Sequence, residues 1–491
     1  MTRFAKKLRF GSKTTALRSI GWASADAVGR VVLLASATII LSRIVAVEDF
    51  GISAIVLAIA AAAGFFVGTP FEEALVQRRV LRTADLRSAF TVSMLLGLVL
   101  VLISLPAATW LAEIYNSPEM ALLLPVTMLS IFFNGHGDLA TALARRRRRF
   151  DDIAAASLIS HAIGVCITVI LALCGFGVWA LIAMRLVIVA MRSIVLQYLQ
   201  CYPLSPHLSL QSLRSLAYQA SVSFFDRLTE NLTYLVFANL VGLFHGLSAV
   251  GYLNMALRVV EPIRGAIVAT THNLSFPYFR NVALGTQVSG ERDRIVHLLA
   301  FIITAVFAGL AAIMPALIPF VAGPGWQDAV FIAICLSIGG AIVLPTRLIS
   351  TALIASGTPI YSLYGNLVAL MIATVLLVMS RDAPAYVIGL ARTFADLGQA
   401  MVAIAVPLIL IQWTSLERFR LIAPAWIVAA VMGISVFLIG QYLAHFNHLI
   451  VLFAQVALGI LIQICLMWCF CRRELRQILL FLRGKGVGLP S

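Results

Sequence analysis

Charge is what this 491-residue sequence has least of. Asp, Glu, Lys and Arg together make up 12% of it, and 61% is hydrophobic. A soluble domain carries about 25% charged residues. No soluble fold could hide this much apolar surface, so lipid must be the solvent. Acids are scarcer still, 21 against 36 Lys and Arg, leaving a net charge of +15. In a soluble chain that excess suggests nucleic acid. In a membrane chain it suggests basic cytoplasmic loops, and nucleic acid drops out as a partner.

Other absences narrow the function. No G-x-x-x-x-G-K-[ST] loop occurs, so the chain has no signature for hydrolysing ATP. The seven cysteines make no disulfide pattern: Cys166, Cys174 and Cys335 lie in or beside apolar runs, and Cys201, Cys465, Cys469 and Cys471 cluster near ends read as cytoplasmic. "HFNH" and "CMWCFC" offer no convergent metal ligands. No cofactor is implied. Long external loops are also missing. A membrane polymerase, ligase or glycosyltransferase needs such a loop with catalytic Arg, His or paired carboxylates, and no catalytic set is expected here.

What remains is a succession of apolar runs. Fourteen are long enough to span, near 20–46, 51–70, 86–110, 120–144, 152–173, 177–198, 213–240, 249–274, 296–321, 328–355, 360–379, 384–408, 421–441 and 448–470. The basic stretch before the first resembles a signal-peptide n-region, but the run that follows is too long for a cleaved signal. It reads as an uncleaved first helix. With the N-terminus inside, loops assigned to the cytoplasm hold 27 Lys and Arg, whereas the outside loops hold only Arg381. This asymmetry orients the chain, both termini inside. It also explains "ALARRRRRFDDIAA": Arg145 to Arg149 anchor a short cytoplasmic loop beside anionic lipid headgroups. The tail "RRELRQILLFLRGKG" spaces Leu475, Ile478, Leu479 and Leu482 as a surface-lying amphipathic segment.

The chain repeats itself. "EDFGISAIVLAIA" (48–60) and "SAVGYLNMALRVV" (248–260) follow the first helix of successive six-helix blocks, with Gly51 matching Gly251 and Leu57 matching Leu257. "CGFGVWAL" (174–181) has a looser counterpart in "APAYVIGL" (383–390). The expected fold is therefore an all-α polytopic membrane protein of about 14 transmembrane helices. Its organisation is a basic tail (1–19), an N-lobe (20–200), a C-lobe in the same orientation (201–408), a helix pair (409–470) and a basic amphipathic tail (471–491). Parallel repeats of this kind occur in transporters.

With Arg87, Arg192 and Arg214, at the ends of their runs, counted among the cytoplasmic loops, eight further arginines fall inside the apolar runs: Arg30, Arg43, Arg185, Arg227, Arg258, Arg264, Arg347 and Arg392. So do six acids: Asp26, Asp138, Asp226, Glu230, Glu261 and Asp396. Each costs about 2.5–3.5 kcal/mol at a helix centre on insertion scales, so they must face water or each other. Arg43 and Asp138 sit near helix ends and are expected to snorkel. Asp26 with Arg30, Arg258 with Glu261 and Arg264, and Arg392 with Asp396 each share one helical face. They can be read as self-neutralising ion pairs. They can also be read as the lining of a polar cavity between the lobes. Because arginine binds phosphate oxygens bidentately, Arg30, Arg227, Arg258, Arg264 and Arg392 are candidates to hold a diphosphate. Asp26, Asp226, Glu230 and Glu261 are candidates to couple an ion. Tyr234, Asn231, Asn254 and Asn273 suit sugar hydroxyls or interhelical contacts.

The turn after helix 1 (Glu48 to Gly51), the Arg149–Phe150 start of helix 5 and the Gly175-to-Leu181 entry to helix 6 resemble those of the Wzx-type polysaccharide exporter or oligosaccharide flippase family. That family belongs to the multidrug/oligosaccharidyl-lipid/polysaccharide superfamily. The resemblance spans roughly residues 15–470, and the second block departs from it where "HGLSAVGY" lacks the acidic pair. It implies a two-lobed, alternating-access transporter of a polyprenyl-diphosphate-linked oligosaccharide in the inner membrane. It also implies a link to polysaccharide polymerase and export machinery. A cation-coupled drug exporter of the same superfamily is the rival reading, and would favour acids over arginines in the cavity.

Overall fold

The computed structural model describes residues 13–78, 80–200, 205–212, 232–283, 289–355, 360–405, 415–443 and 445–470. Every regular element among them is helical. The first compact unit, Met1–Leu235, contains α1 (Lys13–Leu41), α2 (Val47–Val67), α3 (Thr69–Gln77), α4 (Thr83–Ile114), α5 (Met120–Met128), α6 (Ser130–Arg146), α7 (Phe150–Leu173) and α8 (Val178–Gln200). The second, Val236–Ser491, takes in most of α9 (Leu232–His245), then α10 (Leu247–Ala283), α11 (Ser289–Ala322) and α12 (Gln327–Ala355). It continues with α13 (Ile360–Met379), α14 (Tyr386–Ala405), α15 (Ser415–Tyr442) and α16 (His448–Phe470).

Eleven helices among the described residues are long and apolar enough to cross a membrane, making this a multi-pass membrane protein. α9 and α13 contribute shorter apolar stretches, and Arg258, Glu261 and Arg264 interrupt the apolar run of the 37-residue α10. Two expected runs are each broken once. Gly68 separates α2 from α3, with Pro70 in the first turn of α3, where its missing N–H costs least. Leu129 separates α5, which contains Pro125, from α6. Rejoining these halves is consistent with fourteen spans. Pro106, Pro315, Pro319, Pro345 and Pro424 lie within continuous helices, as lipid-embedded helices allow.

The repeat read from the sequence reappears as a repeat of neighbours. In the first unit α6 packs on α8 and on α2 and α3, α4 on α5, and α7 on α8. In the second, α12 packs on α14 and α10, α11 on α12, and α13 on α14. The fourth helix of each block is thus the hub touching the second and sixth. α2 and α10 start 200 residues apart and bury corresponding positions: Phe50, Gly51, Ile55 and Val56 in one, Val250, Gly251, Met255 and Ala256 in the other. Beyond the second block, α15 packs against α11, and α16 against both. Outward faces remain apolar. Leu95, Leu98, Val99, Leu102 and Ile103 of α4 and Ile460, Leu461 and Ile464 of α16 are exposed, as a lipid contact requires.

The five arginines do more than set charge. Arg145 pairs with Glu72 at 2.9 Å. Arg146 Nη1 donates to the carbonyls of Leu75 (2.9 Å), Val76 (3.1 Å) and Arg78, the unsatisfied C-terminal acceptors of α3. Arg147 Nη1 donates to the Gln200 carbonyl at 2.8 Å, closing the end of α8, while Gln200 Nε2 donates to Asp152 at 2.7 Å. Arg149 reaches Asp152 at 2.8 Å in the first turn of α7. Arg148 is exposed, in the left-handed region at φ 56°. The run therefore ties together the ends of α3, α6, α7 and α8.

Replacing Arg146 by Ala should lower the Tm of the detergent-solubilised protein by the equivalent of about 2 kcal/mol, the worth of a charged hydrogen-bond donor. Arg146→Lys, which keeps the charge but not the fork, should recover only part. Arg148→Cys should leave Tm unchanged and be labelled by impermeant thiol reagents only from the cytoplasmic side. Equal losses at both positions would mean that the run acts through charge alone.

Candidate functional site

The second unit holds a four-member charge cluster around one buried carboxylate. Its placement follows from the close approach of α14 to α12. Gly389, Thr393 and Asp396 fall on one face of α14 at helical spacing. A Cβ at Gly389 would lie 2.8 Å from Cys335, and Thr393 Oγ1 donates to the Cys335 carbonyl at 2.9 Å. One turn further on, the Asp396 carboxylate lies where a Cβ of Gly339 in α12 would be, 2.4 Å from Oδ2. Asp396 is 2% exposed. It accepts from Arg264 Nη2 of α10 at 3.1 Å and lies 3.7 Å from Arg392 Nε of its own helix. Arg264 Nη1 also donates to Glu261 at 3.2 Å. The Arg392 guanidinium stands over the Phe237 ring of α9 at 5.9 Å, a cation–π distance. Two of the arginines read from the sequence as anion ligands thus share one buried carboxylate.

The other members of that set behave differently. Arg258 hydrogen-bonds through Nε to Asn254 at 2.8 Å. The expected ladder of Arg258, Glu261 and Arg264 is therefore a pair, Glu261 with Arg264, extended across to α14. Arg30 pairs with Asp26 at 3.3 Å along α1 in the first unit, its side chain 45% exposed. Asp226, Arg227, Glu230 and Asn231 lie outside the described residues, as does the tail 471–491. Arg43 is exposed just past the end of α1, in keeping with an interfacial position.

Asp138 does not snorkel. Its carboxylate lies against Gly68 at the α2–α3 break, where a Cβ would come within 2.0 Å of Oδ2. It stands within electrostatic reach of Glu72, Arg192, Arg185 and Arg145. Arg192 donates to Thr141 at 2.9 Å, and His136 bonds Ser193 at 2.6 Å. Both clusters occupy the same places in their blocks: Glu72, Asp138 and Arg185/Arg192 come from the second, fourth and sixth helices. Arg264, Gly339 and Arg392/Asp396 come from the eighth, tenth and twelfth. Arg192 and Arg418, counted among the cytoplasmic loop charges from the sequence, both lie in helices. Arg192 lies within α8, and Arg418 is 1% exposed and donates to the Ala403 carbonyl at the end of α14. Among the described residues no group of His, Cys, Asp or Glu could hold a metal ion.

Two of the sequence motifs also meet. Gly177 adopts φ 48°, and a Cβ there would lie 2.8 Å from Asp49 Oδ2 at the start of α2. The "EDFG" and "GFGVWAL" turns thus form one contact at one end of the first unit.

The family model for polysaccharide biosynthesis protein matches residues 40–331, more than half of the chain. The chain belongs to that family. Members of similar sequence include the succinoglycan biosynthesis transport protein ExoT of Rhizobium meliloti, 28% identical over 57% of this chain and 56% of that protein. The lipopolysaccharide biosynthesis protein WzxC of Escherichia coli is 24% identical over 64% of this chain and 65% of its own length. The matched region thus spans less than two thirds of either relative. The fold is that of a lipid II flippase, MurJ, in an inward closed conformation: TM-score 0.74 at 14% identity, covering 92% of this chain and 99% of that one. It is also similar, with a TM-score of 0.59 at 16% identity over 80% and 95%, to an inward-facing multidrug MATE transporter.

In this family member the contact of Gly339 with Asp396 should be indispensable. Gly339→Ala forces the carboxylate away from Arg264 and Arg392, and breaking a buried pair costs about 3–5 kcal/mol. Its Tm should fall sharply. Gly265→Ala, where no atom lies within 4 Å of the new methyl, should leave Tm unchanged. Equal Tm values for the two variants would contradict the packing described here.

Proposed function

We propose that this chain carries a polyprenyl-diphosphate-linked oligosaccharide, a polysaccharide precursor, across the inner membrane by alternating access of two six-helix lobes, 20–200 and 201–408. The observation that supports this best is the pair Arg264 and Arg392, held at membrane depth on Asp396. Cations buried in an apolar protein are costly and are kept where they act. Guanidinium groups match the oxygens of a diphosphate. Family membership and the naming of ExoT as a succinoglycan transport protein point the same way.

In this reading both termini and the arginine run face the cytoplasm. The helix pair 409–470 is an addition to the lobes. Arg30, Arg227 and Arg258 extend the anion path. Asp26, Asp226, Glu230 and Glu261 are the acids through which an ion gradient drives the cycle, and polymerase and export machinery take the product. A cation exporter is less well supported. The MATE likeness is one of fold, and a site for organic cations would place acids in excess, whereas Arg258, Arg264 and Arg392 outnumber Glu261 and Asp396.

In a deletion strain, polyprenyl-linked sugar should accumulate on the cytoplasmic side. At equal amounts of folded protein, Arg264→Ala and Arg392→Ala should restore less than about a tenth of polymer export, as expected when a charged ligand contact is lost. Arg→Lys should restore more. Normal export by both alanine variants would refute the anion site, and raised dye resistance dependent on Glu261 would favour the cation exporter.

A further inference from the structure

Arg264 is held by two carboxylates that differ in one respect. Asp396 is 2% exposed, backed by Gly339, and shared with Arg392. It cannot leave without stripping a buried cation, Arg264, and a half-buried one, Arg392, of their shared partner. Glu261 is 46% exposed and meets Arg264 at 3.2 Å from three residues earlier on the same helix. An exposed pair of this kind is weak, and a rotamer change in Glu261 breaks it without moving the backbone. The guanidinium is also unsaturated: its Nε is buried and has no acceptor among the described residues.

We infer that Glu261 is an exchangeable stand-in for the transported anion, and that Asp396 is the fixed positioning residue for the arginines that bind it. This rests on the reading of the chain as a carrier of a diphosphate-linked substrate. When the site is empty, Glu261 neutralises Arg264. An entering diphosphate displaces it, because a phosphate brings more negative charge and more acceptor oxygens than one carboxylate and can also reach Nε. On release Glu261 returns. The same competition sets a threshold of affinity: every anion that must displace Glu261 is weakened by one common factor, so an anion that binds arginine no better than a carboxylate is not retained.

The test measures binding of farnesyl diphosphate and farnesyl monophosphate to the full chain in detergent, with farnesol as the uncharged control. Wild type should bind the diphosphate, and Arg264→Ala should abolish that binding. Glu261→Gln should bind the diphosphate about fivefold more tightly, the scale of one exposed ion pair. It should tighten the monophosphate by about the same factor, because both ligands displace the same carboxylate. Glu261→Ala should do the same, and farnesol binding should not change. Asp396→Asn should weaken the diphosphate, with Asp396→Glu restoring part of the affinity. Unchanged or weaker diphosphate binding by both Glu261 variants, with Arg264→Ala still abolishing it, would overturn this inference and leave the proposed function standing. Equal binding by wild type and Arg264→Ala, or no binding by either, would overturn the proposed function and this inference with it.

Discussion

The carboxylate of Asp396 is the point on which the second unit depends. Three helices converge on it: α10 through Arg264, α14 through Arg392 on its own backbone, and α12 through the missing side chain of Gly339. A charge cannot be left unpaired in an apolar interior. The cluster therefore fixes which faces of α10, α12 and α14 must meet, and the small residues let them approach. Stability and function are coupled here, because the arginines that would bind an anion are also the ones that neutralise a buried acid.

The same constraint appears at the helix ends, with backbone carbonyls in place of carboxylates. A helix ending in a membrane protein leaves acceptors that lipid cannot satisfy. Arg146 and Arg147 cover those of α3 and α8, and Arg418 does so for α14. One basic stretch thus serves as a set of caps. Arg145, Arg146, Arg147 and Arg149 are committed to protein partners, and Arg148 points out at an exposed turn.

Much of this was legible in the sequence. Apolar runs of about 20 residues are a direct consequence of bilayer thickness, and the two blocks could be aligned on Gly51 and Gly251. The pairing of Arg392 with Asp396 was visible as an i, i+4 spacing. The central role of Asp396 was not, because it depends on Arg264, 132 residues away, and on a glycine whose importance is the absence of a side chain. Asp138 was misjudged for a similar reason. Nearness to a helix end suggested snorkelling, but the break at Gly68 opens a place for it inside the first unit. Arg418 precedes the apolar run 421–441 because α15 begins before it, and Arg192, near the end of its own run, is held inside the fold by Thr141.

The account stands or falls on the coupling between Arg264 and Asp396. It can be measured directly as a double-mutant cycle on the Tm of the purified protein, with Arg264→Met, Asp396→Leu and the combination. Each single change strands a buried charge, so the double variant should be more stable than the sum of the two losses predicts, by about 1–3 kcal/mol. Losses that simply add would contradict the shared-carboxylate arrangement at the centre of the fold.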